Sequence, residues 1–236
     1  MTLVLLSGGL DSAVLLSYIG NQGEHGEEVV PVHIRCGYAW ELAEAHCIQR
    51  LMKSALAPRI KPLQTIHFDM RDILPEGHWA LTGIAPPYDA ADEEVYLQGR
   101  NITLLAKAAV LASQLRIKKI AIGLLKGNPF PDATPVFLQT MGRALTLGLA
   151  NDIQILTPFA TWTKSDIVLE ARRVGLPLDL TISCMMPIGG RHCGRCNKCR
   201  ERHQGFVKAN LLDPTDYAMR AFVDLGRLGS GSPKPN

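Results

Sequence analysis

Short apolar runs alternate with amphipathic stretches along the chain, and the repeat switches between the two each time. Thr2–Leu6 is a continuous apolar run of strand length, and Val29–Ile34 is a second, rich in β-branched residues. Thr65–Asp69, Lys119–Gly123 and Ile153–Leu156 are further strand candidates. Between them lie stretches of helical period. Ser12–Ile19 is apolar enough to pack on a sheet, and Trp40–Leu56 places Leu42, Ala45, Ile48, Leu51 and Met52 at helical spacing. Asn101–Leu115, Val136–Leu149 and Lys164–Val174 follow, with Asn101 and Thr163 placed to cap and Gly175 to terminate. Strands alternating with helices predict βαβ units and a parallel sheet. Leu74–Asp92 carries Pro75, Gly77, Gly83, Pro86 and Pro87 and reads as one long loop; Gly127–Pro135 reads as another.

Composition narrows the class. The chain has 236 residues, 47% hydrophobic and 20% charged, which fits an ordinary globular protein of one large domain with an appended module. A net charge of +3 is too small to point to a dedicated nucleic-acid binder. No stretch approaches the roughly 20 apolar residues that span a bilayer. The run Leu3–Leu6 ends at once in Ser-Gly-Gly rather than in a leader, so a cytoplasmic protein without membrane contact is expected. The divisions expected are an α/β domain over 1–180, a metal-binding segment over 181–228 and a disordered tail over 229–236.

Chemistry enters at Ser7-Gly8-Gly9-Leu10-Asp11-Ser12, between the first strand and the first helix. In an open parallel sheet ligands bind beyond the carboxyl ends of the strands. Two glycines there open backbone angles closed to other residues, and their amides converge on an anion beside the helix's positive end. Ser7 and Ser12 add hydroxyl donors. Asp11 is either a Mg²⁺ ligand or an organiser of the loop. No Lys follows the glycines, so this is not the Walker loop.

The second motif is Cys184-x8-Cys193-x2-Cys196-x2-Cys199. Four thiolates at such spacing suit a tetrahedral Zn²⁺, and a closed four-sulfur site is structural because no position remains for water or substrate. Gly194 permits the tight turn. The spacing matches none of the common ferredoxin patterns. Arg191, Arg195, Lys198, Arg200 and Arg202 surround the cysteines, and their charge is expected to favour thiolates.

The glycine loop resembles the PP-loop of the ATP pyrophosphatases, which cleave ATP between its α- and β-phosphates. Loop and cysteines together resemble one family, the 7-cyano-7-deazaguanine synthases (QueC). Tyr96-Leu97-Gln98-Gly99-Arg100-Asn101, Thr157-Pro158, Thr163-Lys164-Ser165-Asp166-Ile167, Ser183-Cys184 and His192–Arg202 match its pattern in order and spacing, over about residues 3–207. The resemblance implies a Rossmann-like α/β fold with a small C-terminal zinc module. It also implies an enzyme converting 7-carboxy-7-deazaguanine, ammonia and ATP to the nitrile by adenylation, releasing pyrophosphate and AMP. ATP with Mg²⁺ would sit on Leu6, Ser7, Gly8, Gly9, Leu10, Asp11, Ser12, Ala13, Val14, Leu15 and Leu16. Asp11, Ser12, Arg100 and Lys164 would be catalytic. Arg100, Asn101 and Asp132 would bind the deazaguanine. A homodimer is implied as well.

Two segments depart from the family pattern. Cys36-Gly37-Tyr38-Ala39-Trp40 stands where the family has Tyr-Gly-Gln-Arg/Lys-His, and Ala133-Thr134 stands where it has Cys-Arg after Pro131-Asp132. A lost arginine removes a carboxylate partner that few residues replace. The adenylation half is therefore kept and the acceptor half altered. Four readings stand at this point. They are nitrile synthesis, a related reaction ending at the amide or joining the base to another amine such as a protein's, another PP-loop tRNA-modifying enzyme, and a nucleotide-binding zinc adaptor. Cys36, His33 and His46 are further candidates for the acceptor pocket, and Cys36 and Cys47 are the cysteines that a thiolation enzyme would use.

Overall fold

The computed structural model describes residues 1–22, 27–54 and 59–219. Five strands form one parallel sheet in the order β3-β2-β1-β4-β5. They are β1 (Thr2–Leu5), β2 (Val29–Arg35), β3 (Gln64–His67), β4 (Lys119–Ala121) and β5 (Gln154–Leu156). β1 is fully buried and lies between β2 and β4, in register Thr2 with Val29 and with Lys119. The chain builds outward through β2 and β3, then returns to the other side of β1. That reversal leaves a crevice beyond the carboxyl ends of β1 and β4.

The helices are α1 (Leu10–Gly20), α2 (Glu41–Lys53), α3 (Trp79–Thr82), α4 (Arg100–Gln114), α5 (Pro135–Leu149), α6 (Lys164–Arg173) and α7 (Asn197–Lys208). They cover both faces of the sheet. One apolar layer joins Leu3, Val32 and Ile120 to Leu105 and Ala109 of α4. The other joins Val4 and Val29 to Val14, Leu15, Ile48, Leu51, Ile167 and Phe206 of α1, α2, α6 and α7. Thr163 caps α6 as expected, its hydroxyl accepting from Asp166 N while the Asp166 carboxylate accepts from Thr163 N.

Four expectations shift. Asn101 does not cap its helix, because α4 begins at Arg100 with Gly99 as its N-cap. α1 begins at Leu10, with Gly9 as its N-cap, so Leu10 and Asp11 lie in the helix's first turn rather than before it. The 74–92 segment is not a bare loop: it holds α3, capped by His78 and ended by Gly83 at φ 74°. α2 ends at Lys53, and the expected end at Leu56 lies outside the described residues, as does the expected tail 229–236. No helix among the described residues is long and apolar enough to cross a membrane.

Candidate active site

A cavity of about 250 Å³ fills the crevice. Its polar wall is the turn from β1 into α1. Gly8 has φ 77°, and a Cβ there would stand 3.1 Å from Glu44 O and 3.2 Å from Ile48 Cγ1, so both its conformation and its proximity to α2 require glycine. Gly9 has ordinary extended angles instead. Ser12 Oγ donates to Gly9 O at 3.0 Å and accepts from Ser7 N at 3.2 Å, closing the turn on itself. The first-turn amides of α1 have no intrahelical acceptor and face the crevice end of the sheet.

Asp11 neither organises the loop nor faces solvent freely. Both its oxygens accept from Lys164 Nζ at 2.7 Å. Lys164 also donates to Glu201 Oε1 at 2.7 Å, and Lys198 Nζ donates to Glu201 Oε2 at 2.7 Å. Burial works against charging Lys164, yet the two carboxylates hold its pKa above that of a free lysine. Burial likewise opposes Glu201, and the two lysines hold its carboxyl well below the usual range.

The opposite wall is aromatic. Tyr38 stacks on Trp40 at 4.9 Å, Trp40 on Trp79 at 5.5 Å, and Tyr96 on Phe130 at 4.9 Å. Between the walls sit Glu41, Glu44, Arg100 and His33. Glu41 accepts from the amides of Cys36 and Gly37. Burial pushes the Glu44 carboxyl up to about 8, with Glu41 adding to the shift and Arg100 opposing it. Arg100 Nε is buried without a partner. His33 Nδ1 lies 3.0 Å from Leu6 O, which only accepts, so Nδ1 carries the proton; burial holds the ring neutral, and Nε2 is left as an unpaired acceptor. Burial raises the Cys36 thiol to about 11, and raises Cys47 too. Neither is the thiolate that nucleophilic sulfur chemistry requires.

The predicted residues are thus gathered unevenly. Leu6, Ser7, Gly9, Leu10, Asp11, Ser12, Arg100, Asn101, Asp132 and Lys164 all line the cavity. Ala13, Val14, Leu15 and Leu16 are buried core behind the loop. Asp132 gives both oxygens to Asn101, accepting from its amide at 2.9 Å and its side chain at 3.2 Å, which fastens the start of α4. His46 is exposed on α2. Glu201, Glu41 and Glu44 escape the sequence reading, and Lys198 enters it only as a neighbour of the cysteines. Lys198 and Glu201 have the i, i+3 spacing of a helical ion pair, a common signal that does not single out a site.

The four cysteines converge. Their sulfurs all lie within 4.8 Å of one another, with pairs at 3.6, 3.8 and 3.9 Å. Four sulfurs at 2.3 Å from one tetrahedral ion stand about 3.8 Å apart. The set therefore fits a single metal ion. Among the described residues none of the surrounding cations donates a side-chain hydrogen bond to a cysteine sulfur; they act through charge, as between Arg202 and Cys199, where each favours the other's charged form. Lys198 pairs with Glu201, Arg200 with Asp92, and Arg191 with Asp216. Arg202 is buried and donates to Leu178 O, Thr181 and Thr215. Backbone amides supply the hydrogen bonds: Met186 N and Cys193 N donate to Cys184 Sγ at 3.3 Å, and Arg195 N to Cys193 Sγ at 3.4 Å. Gly194, at φ 77°, turns the chain there, and a Cβ would run into the backbone of Met219.

Residues 1–210 match the family described as queuosine biosynthesis protein QueC. A 7-cyano-7-deazaguanine synthase of Methanoculleus marisnigri is 33% identical over 223 residues, covering 90% of this chain and 96% of its own. One from Anaeromyxobacter dehalogenans is 31% identical, covering 91% and 94%. Among solved structures, the U34-tRNA thiolase NcsA from Methanococcus maripaludis with its [4Fe-4S] cluster gives a TM-score of 0.47 at 12% identity, over 90% of this chain and 73% of that one. The chain belongs to the QueC family, and with it to the ATP-dependent PP-loop enzymes of ligase type.

Proposed function

We propose that the chain is a 7-cyano-7-deazaguanine synthase. The observation that carries the reading is the Asp11–Lys164 pair at the glycine loop, in the crevice of a chain that matches its family from residue 1 to 210. In this reading the amides and hydroxyls of Ser7–Ser12 receive the pyrophosphate portion of ATP, brought as its Mg²⁺ complex. A carboxylate oxygen of 7-carboxy-7-deazaguanine attacks the α-phosphorus, and the α–β bridging bond breaks with its electrons on pyrophosphate. Ammonia then attacks the acyl carbon and loses a proton, and AMP leaves with the C–O electrons, giving the amide. A second adenylation on the amide oxygen, with loss of two protons and AMP, leaves the nitrile. The chain contributes mainly positioning and charge compensation. Asp11 serves the magnesium ion, Lys164 the phosphates, and Arg100 the substrate's negative charge. Asp132 acts through Asn101.

The cysteine set is assigned to structural zinc. The sulfur spacing supports one ion, since a four-iron cluster puts each thiolate on a different iron and spreads the sulfurs farther. When bound, the ion ties the 184–199 segment into a closed fold. Residues 1–180 then form the nucleotide-binding unit and the segment from 181 the metal module. A homodimer belongs to the same proposal, and light scattering checks it.

Incubation with ATP, Mg²⁺, ammonia and the 7-carboxy base, followed by mass spectrometry, is the test. The expected product is the nitrile with two pyrophosphates released per turnover. A second reading keeps adenylation but stops at the amide or joins the base to another amine. What favours it is the acceptor wall, where Cys36, Tyr38 and Trp40 are buried against the cavity in place of polar side chains. Accumulation of amide, or a conjugate when other amines replace ammonia, decides for it. Absence of pyrophosphate release with every acceptor refutes both.

A further inference from the structure

The helix that rises from the cysteine cluster also shapes the lysine at the glycine loop. α7 has Cys196 as its N-cap and Cys199 in its first turn, and it packs along α6, whose first residue is Lys164. Two α7 residues four apart, hence on one face, meet that lysine. At Gly205 a Cβ would stand 2.4 Å from Lys164 Cγ and 3.3 Å from its Cβ, so the lysine stem occupies the space a side chain would need. One turn earlier, Glu201 accepts from Lys164 Nζ at 2.7 Å, and Lys198 holds the other oxygen of that carboxylate. The remaining donors of Nζ go to the two oxygens of Asp11. An ammonium has three donors, and all three are engaged.

The charges alternate along this chain of contacts: Asp11, Lys164, Glu201, Lys198. They cancel as two pairs. An arriving magnesium–nucleotide complex must separate Asp11 from Lys164, because Asp11 is then drawn to the cation and the lysine to the phosphates. Glu201 makes the separation easier. The ammonium keeps one carboxylate partner throughout, and the groove at Gly205 keeps its stem pointed over the loop. Without Glu201, Asp11 would be the lysine's only anion and the complex would have to break an undivided pair.

We propose that Glu201 and Gly205 are positioning residues of the nucleotide site, through which α7, anchored at its start by the cysteine cluster, moulds Lys164 over the glycine loop. The inference rests on the ATP reading above. It is tested by calorimetric titration of the metal-loaded full chain with Mg²⁺ and a non-hydrolysable ATP analogue, with metal content and melting temperature measured alongside. Glu201→Gln is expected to weaken the analogue's Kd about tenfold or more, the scale of one hydrogen bond between charged groups, with metal content unchanged. Gly205→Ala is expected to weaken it as well. In a Lys164→Ala background neither change should add anything, because the group through which they act is gone. Wild-type affinity in both variants, equal losses with and without Lys164, or loss of the metal from Glu201→Gln would overturn the inference while leaving the ATP reading intact. A wild-type chain that binds no nucleotide would overturn the ATP reading and the inference with it.

Discussion

The two walls of the cavity are built by opposite means. The polar wall is one short stretch, Ser7–Ser12, whose backbone closes on itself through Ser7 and Ser12 and whose charge is balanced by Lys164. The aromatic wall is assembled from three separate places, Tyr38 and Trp40 before α2, Tyr96 before α4 and Phe130 before α5, with Trp79 of α3 stacked behind Trp40. In the proposed reading the turn takes the phosphate chain, which is the same in every ATP, so one rigid turn suffices to hold it. An acceptor differs from enzyme to enzyme, and loops contributed separately can change without disturbing the turn.

The largest effect that separates the walls is expected from Asp11→Asn. Pyrophosphate release should fall by about 100-fold or more, the cost of losing one charge partner in a closed site, whatever acceptor is supplied. Near-normal release would show that the polar wall is not where ATP reacts. Next comes the metal module. Cys199→Ser should abolish stoichiometric metal binding and lower Tm by roughly 5–10 °C, as a loss of 2–3 kcal/mol does in a chain of this size. Trp40→Phe is a milder change on the aromatic side. It keeps a stacking ring but removes the indole N–H that hydrogen bonds to Glu44. Stability should drop by about 1–3 kcal/mol. The KM for the acceptor should rise while the KM for ATP stays put; a rise in the ATP KM alone would reverse the assignment of the walls.

A further effect concerns pH. The folded pKa of Glu44, about 8, exceeds its ordinary 4.5. The folded chain therefore holds this proton more tightly than the unfolded chain. The stability so gained is complete below pH 4.5 and is lost as pH climbs through 8. Glu44→Gln should flatten the decline in Tm between pH 6 and pH 8.5, and an unchanged slope would place the carboxyl in contact with water or with a compensating charge.

Legibility followed the same division. The sheet and most of its helices were readable because buried strands and amphipathic helices repeat at fixed periods. The polar wall is readable because its residues are contiguous, and Lys164 only through the resemblance of Thr163–Ile167 to the family pattern. Glu201 was not. A glutamate on a helix surface is ordinary, and only packing of α7 on α6 brings it to Lys164 across 37 positions of chain. The hydrogen-bond partners of the cations around the cysteines are not legible, because proximity in sequence says nothing of direction; Arg200 and Arg202 turn to the 88–92 segment and to Leu178. α3 went unseen because four residues give too short a stretch for a helical period to register.

The Asp11–Lys164 pair joins residues 153 apart, and this separation has a kinetic consequence. β1 emerges first during synthesis but gains its neighbour β4 only when residue 119 is available. Contacts of such long range close slowly, since loop entropy is spent before any contact rewards it. Asp11 meets its lysine only after most of the chain exists, and Glu201 follows later still. A partly made chain therefore presents the glycine loop with an uncompensated carboxylate, which repels phosphates. Nucleotide affinity should appear late in refolding, after the sheet's own signal has risen.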